Sequence, residues 1–233
     1  MRRDTASGQP WAMNQNPLPR NALVPAALLA GLCPLVANTI HEEPTSSGAD
    51  IIAAASAAQS SKELLSTGIF LVGFIALIAV LGMLAAAIAP RTPALSGIAA
   101  IGGAAAVAVK VAEAQTGIAL RQTAAGLDPT TAEALVAMDE AGFAVHGLLL
   151  SVAFGAVGMG LLAAGLVPRW LAWWATVMGG LGVVTALVGV MAPAAYVPIP
   201  FLFLLVWLTV LGIVGARRPF AHSAVPAHVA AAQ

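Results

Sequence analysis

The chain is expected to fold as an all-α, polytopic transmembrane bundle of six spans, with both termini in the cytoplasm. Three observations carry this expectation. Of the 233 residues, 60% are hydrophobic and 9% charged, where soluble domains carry about 25% charged residues. Six long apolar stretches can be marked, at about 22–38, 67–89, 94–114, 142–166, 170–191 and 199–215. Arg2, Arg3, Arg20, Arg91, Arg169, Arg217 and Arg218 fall outside these stretches on one side, and the acids other than Asp4 fall toward the alternate gaps. Cytoplasmic loops collect arginine and lysine in this way. The pattern points to a multi-pass protein of a bacterial plasma (inner) membrane, whose first partner is the lipid bilayer.

Composition excludes other classes. The formal net charge is zero, which argues against nucleic acid. The single cysteine, Cys33, excludes an internal disulfide and reads as a small packing residue. The Arg2-Arg3 pair is too far from the apolar stretch for a twin-arginine signal, and Leu32 before Cys33 spoils a lipoprotein site.

Residues 1–20 carry Pro10, Pro17 and Pro19 and read as a cytoplasmic tail. Met13 is a competing start. The first span, 22–38, contains Pro25 and Pro34, and a cleaved signal peptide is its competing reading. An outer segment from Asn38 to Gln59 holds His41, Glu42, Glu43 and Asp50, with a short surface helix expected over Ile51 to Ala58. Ser60 and Glu63 fit a capping box for the second span, which Pro90-Arg91 stops.

The third span carries Ser96, Ala100, Ala104 and Ala108 at four-residue spacing. Small faces let helices approach closely in lipid, so this helix is expected inside the bundle. Residues 115–129 read as a second outer loop. The next helix is expected to start at Thr131, with Thr130 as N-cap and Glu133 returning the bond, and to reach Leu166. It exceeds one span, so its first turns should stand outside the bilayer. Ala156, Gly160 and Ala164 give it a small face. Trp170, Trp173 and Trp174 beside Arg169 read as an interfacial belt opening the fifth span. The sixth span ends at Arg217-Arg218, and a disordered cytoplasmic tail is expected over 219–233.

Gly82 to Arg91 and Gly160 to Arg169 agree at six of ten positions. A duplicated helix hairpin would explain this; biased composition with positive-inside anchoring is the favoured explanation.

Ionisable residues inside spans are the best pointers to function. Lys110 and Glu113 lie in the third span and His146 in the fourth, all toward the outer side. Lys110 and Glu113 are spaced to pair on one helix face. Asp139 and His146 share a face of the fourth helix about 10 Å apart, too far to bind one metal ion alone, and Glu140 sits nearly a quarter turn round. A ligand-binding set of Lys110, Glu113, Asp139, Glu140 and His146 is therefore expected only if the fold gathers them. No catalytic residue, metal site or cofactor is assigned. His146 otherwise reads as an interfacial histidine bonded to a neighbouring helix or to water.

Two stretches carry a resemblance: Pro168-Arg169-Trp170-Leu171-Ala172-Trp173 with Phe203 to Trp207 and Arg217-Arg218 beyond it, and Asp128-Pro129-Thr130-Thr131-Ala132-Glu133. With these, the chain resembles a group of six-span integral membrane proteins, mostly actinobacterial, classed under domains of unknown function. The resemblance covers roughly residues 20–218 and implies a retained first span. It brings no activity, cofactor or site residue.

Three functions are compatible with this reading. The first is a non-enzymatic accessory, sensory or partner-binding protein, with a membrane-protein partner or self-association. The second is a small-solute transporter or binder with an acidic outer mouth (Glu42, Glu43, Glu63, Glu113, Asp139 and Glu140). The third is an outer-leaflet enzyme working through Asp139, Glu140 and His146.

Overall fold

A computed structural model describes residues 19–40, 48–57, 61–192 and 197–217. The described residues form seven α-helices and no strand: α1 Arg20–Ile40, α2 Gly48–Ala57, α3 Ser61–Ile88, α4 Pro93–Thr123, α5 Pro129–Ala164, α6 Arg169–Met191 and α7 Ile199–Arg217. Six of them, all but α2, are long and apolar enough to cross a membrane. In hydrocarbon each backbone N–H and C=O must be satisfied within the protein, and a helix does this inside one segment. The tails, together with His41, Glu42 and Glu43 of the outer segment, lie outside the described residues, as do Ser60 of the expected capping box and the side chain of Glu63.

The six long helices close into one bundle. Helix α1 packs between α3 and α7, and α5 packs between α4 and α6. Trp207, Phe154, Leu77, Leu84, Leu150 and Leu161 are fully buried at the centre. Trp207 fills the middle of α7, and its Nε1 donates to the Leu171 carbonyl of α6 at 2.7 Å. Ala156, Gly160 and Ala164 are buried, as their spacing predicts.

One end of the bundle is organised by arginine. The Arg20 guanidinium donates to the Ala216 carbonyl, and Arg91 to the Ala164 carbonyl. Both carbonyls sit at helix C-termini, where a cation meets unpaired acceptors and the negative end of the helix dipole. These contacts also place the start of α1, the end of α7, the α3–α4 turn and the end of α5 at the same end.

The opposite end carries a cap. Helix α5 has 36 residues and α4 has 31, so they are about 54 and 46 Å long. A hydrocarbon core is about 30 Å thick. Both helices therefore outrun it, and α2 packs across their projecting ends, burying Ile51 and Ala55.

Four expectations need correction. The stretch 115–129 is not a loop: α4 continues to Thr123 and a single 3-10 turn, Ala124–Gly126, follows. Its alanines and glutamines suit a helix, and Arg121 stands in the last turn beside the negative dipole end. The N-cap of α5 is Asp128, not Thr130. Its carboxylate accepts from the Thr130 and Thr131 amides at 3.0 and 3.2 Å, while Glu133 accepts instead from the Gly48 amide of α2 at 3.0 Å. Helix α5 ends at Ala164 rather than Leu166, because Gly165 takes a left-handed φ of 65° and bonds back to Leu161.

The fourth correction concerns α4. Ala100, Ala104 and Ala108 face outward from the bundle; the buried side is Ala99, Gly103, Ala106, Val107 and Glu113. The helix offers two small faces. Only the second carries Lys110 and Glu113, and a charged pair is costly against lipid. That cost sets the rotation of α4.

The Asp128 cap has a pH signature. The Thr131 hydroxyl first, then the Thr131 amide, hold its carboxyl below the usual carboxylate range. A carboxylate favoured by folding stabilises above its unfolded titration range and loses that contribution as pH falls through the folded one. Protection of the Thr130 and Thr131 amides from hydrogen exchange should therefore survive mild acid and fail only in stronger acid. In Asp128→Ala it should be missing throughout.

Candidate functional site

The fold gathers four of the five candidate residues on the seam between α4 and α5. Helices α4 and α5 run antiparallel, so Ala106 lies across from His146 and Glu113 lies across from Gly142. Lys110 sits between them on the buried side of α4. Its ammonium pairs with the Glu113 carboxylate and stands 4.7 Å from the centre of the Phe143 ring. Asp139 is half-buried one turn before Phe143 and before Gly142, whose backbone lies against Glu113. Glu140 is exposed and stands apart from the group.

Burial decides what these groups can do. Glu113 is 5% exposed and His146 0%. His146 is thus not the interfacial residue expected from its position along the helix. It does bond to a neighbouring helix, through Nδ1 to the Ala106 carbonyl at 2.8 Å. A carbonyl oxygen only accepts, so Nδ1 carries the proton. In the neutral ring Nε2 is then a bare acceptor.

Three phenylalanines enclose that ring. Phe74 of α3 and Phe201 of α7 meet it edge-to-face, each with centroids 5.7 Å away, and Phe143 lies nearly parallel at 6.4 Å. Such spacings are direct packing contacts. The box therefore draws on four helices: α3, α4, α5 and α7. Two buried side-chain atoms among the described residues have no hydrogen-bond partner, Glu113 Oε1 and His146 Nε2. Both belong to this seam. Native interiors rarely leave such atoms unpaired.

Gly142 lets the seam close. A Cβ there would stand 2.8 Å from Glu113 Cγ, inside ordinary contact distance. No group of three His, Cys, Asp or Glu side chains able to hold a metal ion occurs among the described residues.

Phe143 was within reach of the sequence, three residues before His146 on the same helix face. Phe74, Phe201, Gly142 and the Ala106 carbonyl were not. Nothing in one sequence fixes the relative height of separate helices.

A second feature is a groove of about 390 Å³ on the outside of the bundle, lined by Leu95 and Ile98 of α4, Val152 and Met159 of α5, and Thr176 and Val183 of α6. Its walls are apolar and it carries no ionisable side chain. Compared with known proteins, the chain matches no family model, no curated protein and no solved structure.

Proposed function

We propose that the protein is a non-enzymatic sensory or accessory subunit of a bacterial plasma membrane, with both termini in the cytoplasm and the cap outside. The carrying observation is the placement of the buried polar centre. It lies on the two helices that also build the cap, and it draws in α3 and α7 through Phe74 and Phe201. A change at the centre would be felt at once by the cap and by the membrane bundle. The likeness to six-span membrane proteins fits this reading and adds no activity to it.

Transport is the second reading. It is disfavoured by the interior toward the arginine end, where the buried layers of Leu81, Leu84, Ile88, Val157 and Leu161 are apolar. Coupled transporters set ionisable or broken-helix elements at the midplane. An enzyme would need its acid and base within hydrogen-bond reach of a substrate, and His146 is closed off by packed rings.

Crosslinking in intact cells tests the proposal. A reproducible protein partner, captured from the cap or from the arginine end, is expected. Recovery of lipid alone under conditions that trap known complexes would overturn it. The topology has its own check: a cysteine at Arg91 should resist external labelling, while one at Glu140 should react.

A further inference from the structure

We infer that Lys110, Glu113, Asp139 and His146 form one proton-binding centre on the α4–α5 seam, loaded from the cap side. This deepens the sensory reading above by naming the stimulus. The formal charges are the first argument. Lys110 and Glu113 contribute one charge of each sign and the His146 ring with Nδ1 bonded to Ala106 none, while Asp139, one turn before the Gly142 backbone that lies against Glu113, adds a negative charge at the half-buried cap-side edge. The set therefore carries one net negative charge, placed at its cap-side edge against an otherwise apolar interior that penalises net charge. One added proton brings it to zero.

Two unpaired buried acceptors, His146 Nε2 and Glu113 Oε1, stand ready to take that proton. One acceptor is on each helix of the same seam, so a single proton has two places to be held. Among the described residues the other charges of α4 and α5 lie further toward the cap: Arg121, which donates to Thr67 of α3, Glu133, which accepts from Gly48, and exposed Glu140. The charged residues of α3 are Lys62 and Glu63 in its first turn; that of α7 is Arg217, at the far end; that of α1 is Arg20, also at the far end. What α3 and α7 bring to the box is the uncharged rings of Phe74 and Phe201.

The packing selects the ligand. Rings packed at 5.7 to 6.4 Å around a fully buried imidazole exclude a bulky ligand from Nε2, which favours a proton. Access is one-sided. Asp139 is half-buried and Glu140 exposed toward the cap, whereas Leu77, Leu84, Leu150, Phe154 and Leu161 seal the other side. A proton that enters and leaves by the same door changes the state of the centre without crossing the membrane.

The test uses the full chain in phospholipid nanodiscs, labelled with 15N-histidine. His146 is identified as the signal lost in His146→Phe. The His146 nitrogens and the infrared band of a protonated carboxyl group should change together in one pH-linked transition. Glu113→Gln and Asp139→Asn each remove a negative charge and should lower the proton affinity at least about tenfold, moving the transition to lower pH. Lys110→Met removes the positive charge and should move it to higher pH.

Opposite signs from substitutions on one seam cannot arise from loosened packing. If Lys110→Met does not fold, the two carboxyl variants still fix the required direction. A His146 signal and carboxyl band that stay constant wherever the protein is folded would overturn the proposal, as would shifts of the same sign in all variants. A constant signal with a crosslinked partner would sink the proton and leave the sensory reading standing. A transition without a partner would do the reverse.

Discussion

Lys110→Met should destabilise the protein by about 3 kcal/mol at neutral pH, the low end of the range found when one member of a buried ion pair is removed, since the Lys110 side chain is itself 21% exposed. The loss is not mainly that of the attraction between Lys110 and Glu113. It is the cost of leaving the Glu113 carboxylate, 5% exposed, without its counter-charge. The double variant Lys110→Met with Glu113→Met should recover most of the loss. Replacing a buried pair by apolar groups of similar shape is often neutral or stabilising, and the unbranched methionine avoids crowding the Gly142 backbone. Reversible unfolding in lipid, followed at two pH values, checks both. The single variant should regain stability on acidification, because a protonated Glu113 no longer needs its partner. A double variant as damaged as the single one would mean that the pair matters for its shape and not its charge.

Gly179→Val is expected to be the most damaging change away from the polar centre. Helices α5 and α6 touch through bare backbone at this point. A Cβ on Gly179 would stand 2.5 Å from the Gly155 nitrogen and 2.8 Å from the Ser151 carbonyl oxygen. Neither atom can swing aside as a side-chain tip would, so the helices must part. Lipid offers no hydrophobic drive to hold helices together, and close packing supplies much of the cohesion. Overpacking costs about 1–3 kcal/mol in a forgiving core, and the upper end is expected here. Gly180→Val is the control, since a Cβ there meets nothing within 4 Å. Thermal unfolding of the two variants in the same lipid should separate them clearly. Equal midpoints would show that the α5–α6 seam is softer than its contacts suggest.

The number and class of the helices could be read from the chain because lipid imposes a crude rule. Any segment with enough consecutive apolar residues must be a helix, and Pro90-Arg91 and Pro168-Arg169 mark the stops. Rotation was harder. The stripe of Ser96, Ala100, Ala104 and Ala108 suggested a buried face, and the buried face proved to lie one residue away, through Ala99, Gly103 and Ala106. The deciding residues were Lys110 and Glu113, which sequence reading had singled out for chemistry and not for orientation. At the site, spacing on one helix gave the Lys110–Glu113 pair and the shared face of Asp139 and His146. The meeting of the two helices, and the rings of Phe74 and Phe201, depend on heights set by packing across the whole bundle. The suspected duplication fares differently in detail. Gly160 seats against Ile88, while its counterpart Gly82 meets nothing, so matching letters do unlike work.

The contact between Arg20 and Ala216 joins residues 196 positions apart. Helix α1 therefore leans on α7, the described helix farthest from it along the chain. At synthesis rates of about 5–20 residues per second, α1 waits roughly 10–40 s for α7 to emerge. During that interval Leu28 and Gly31 lack the neighbours that α7 gives them. Gly31 ends within backbone reach of α7, where a Cβ would stand 2.6 Å from the Leu205 carbonyl oxygen. A chain arrested before α7 would leave that face of α1 uncovered in the bilayer.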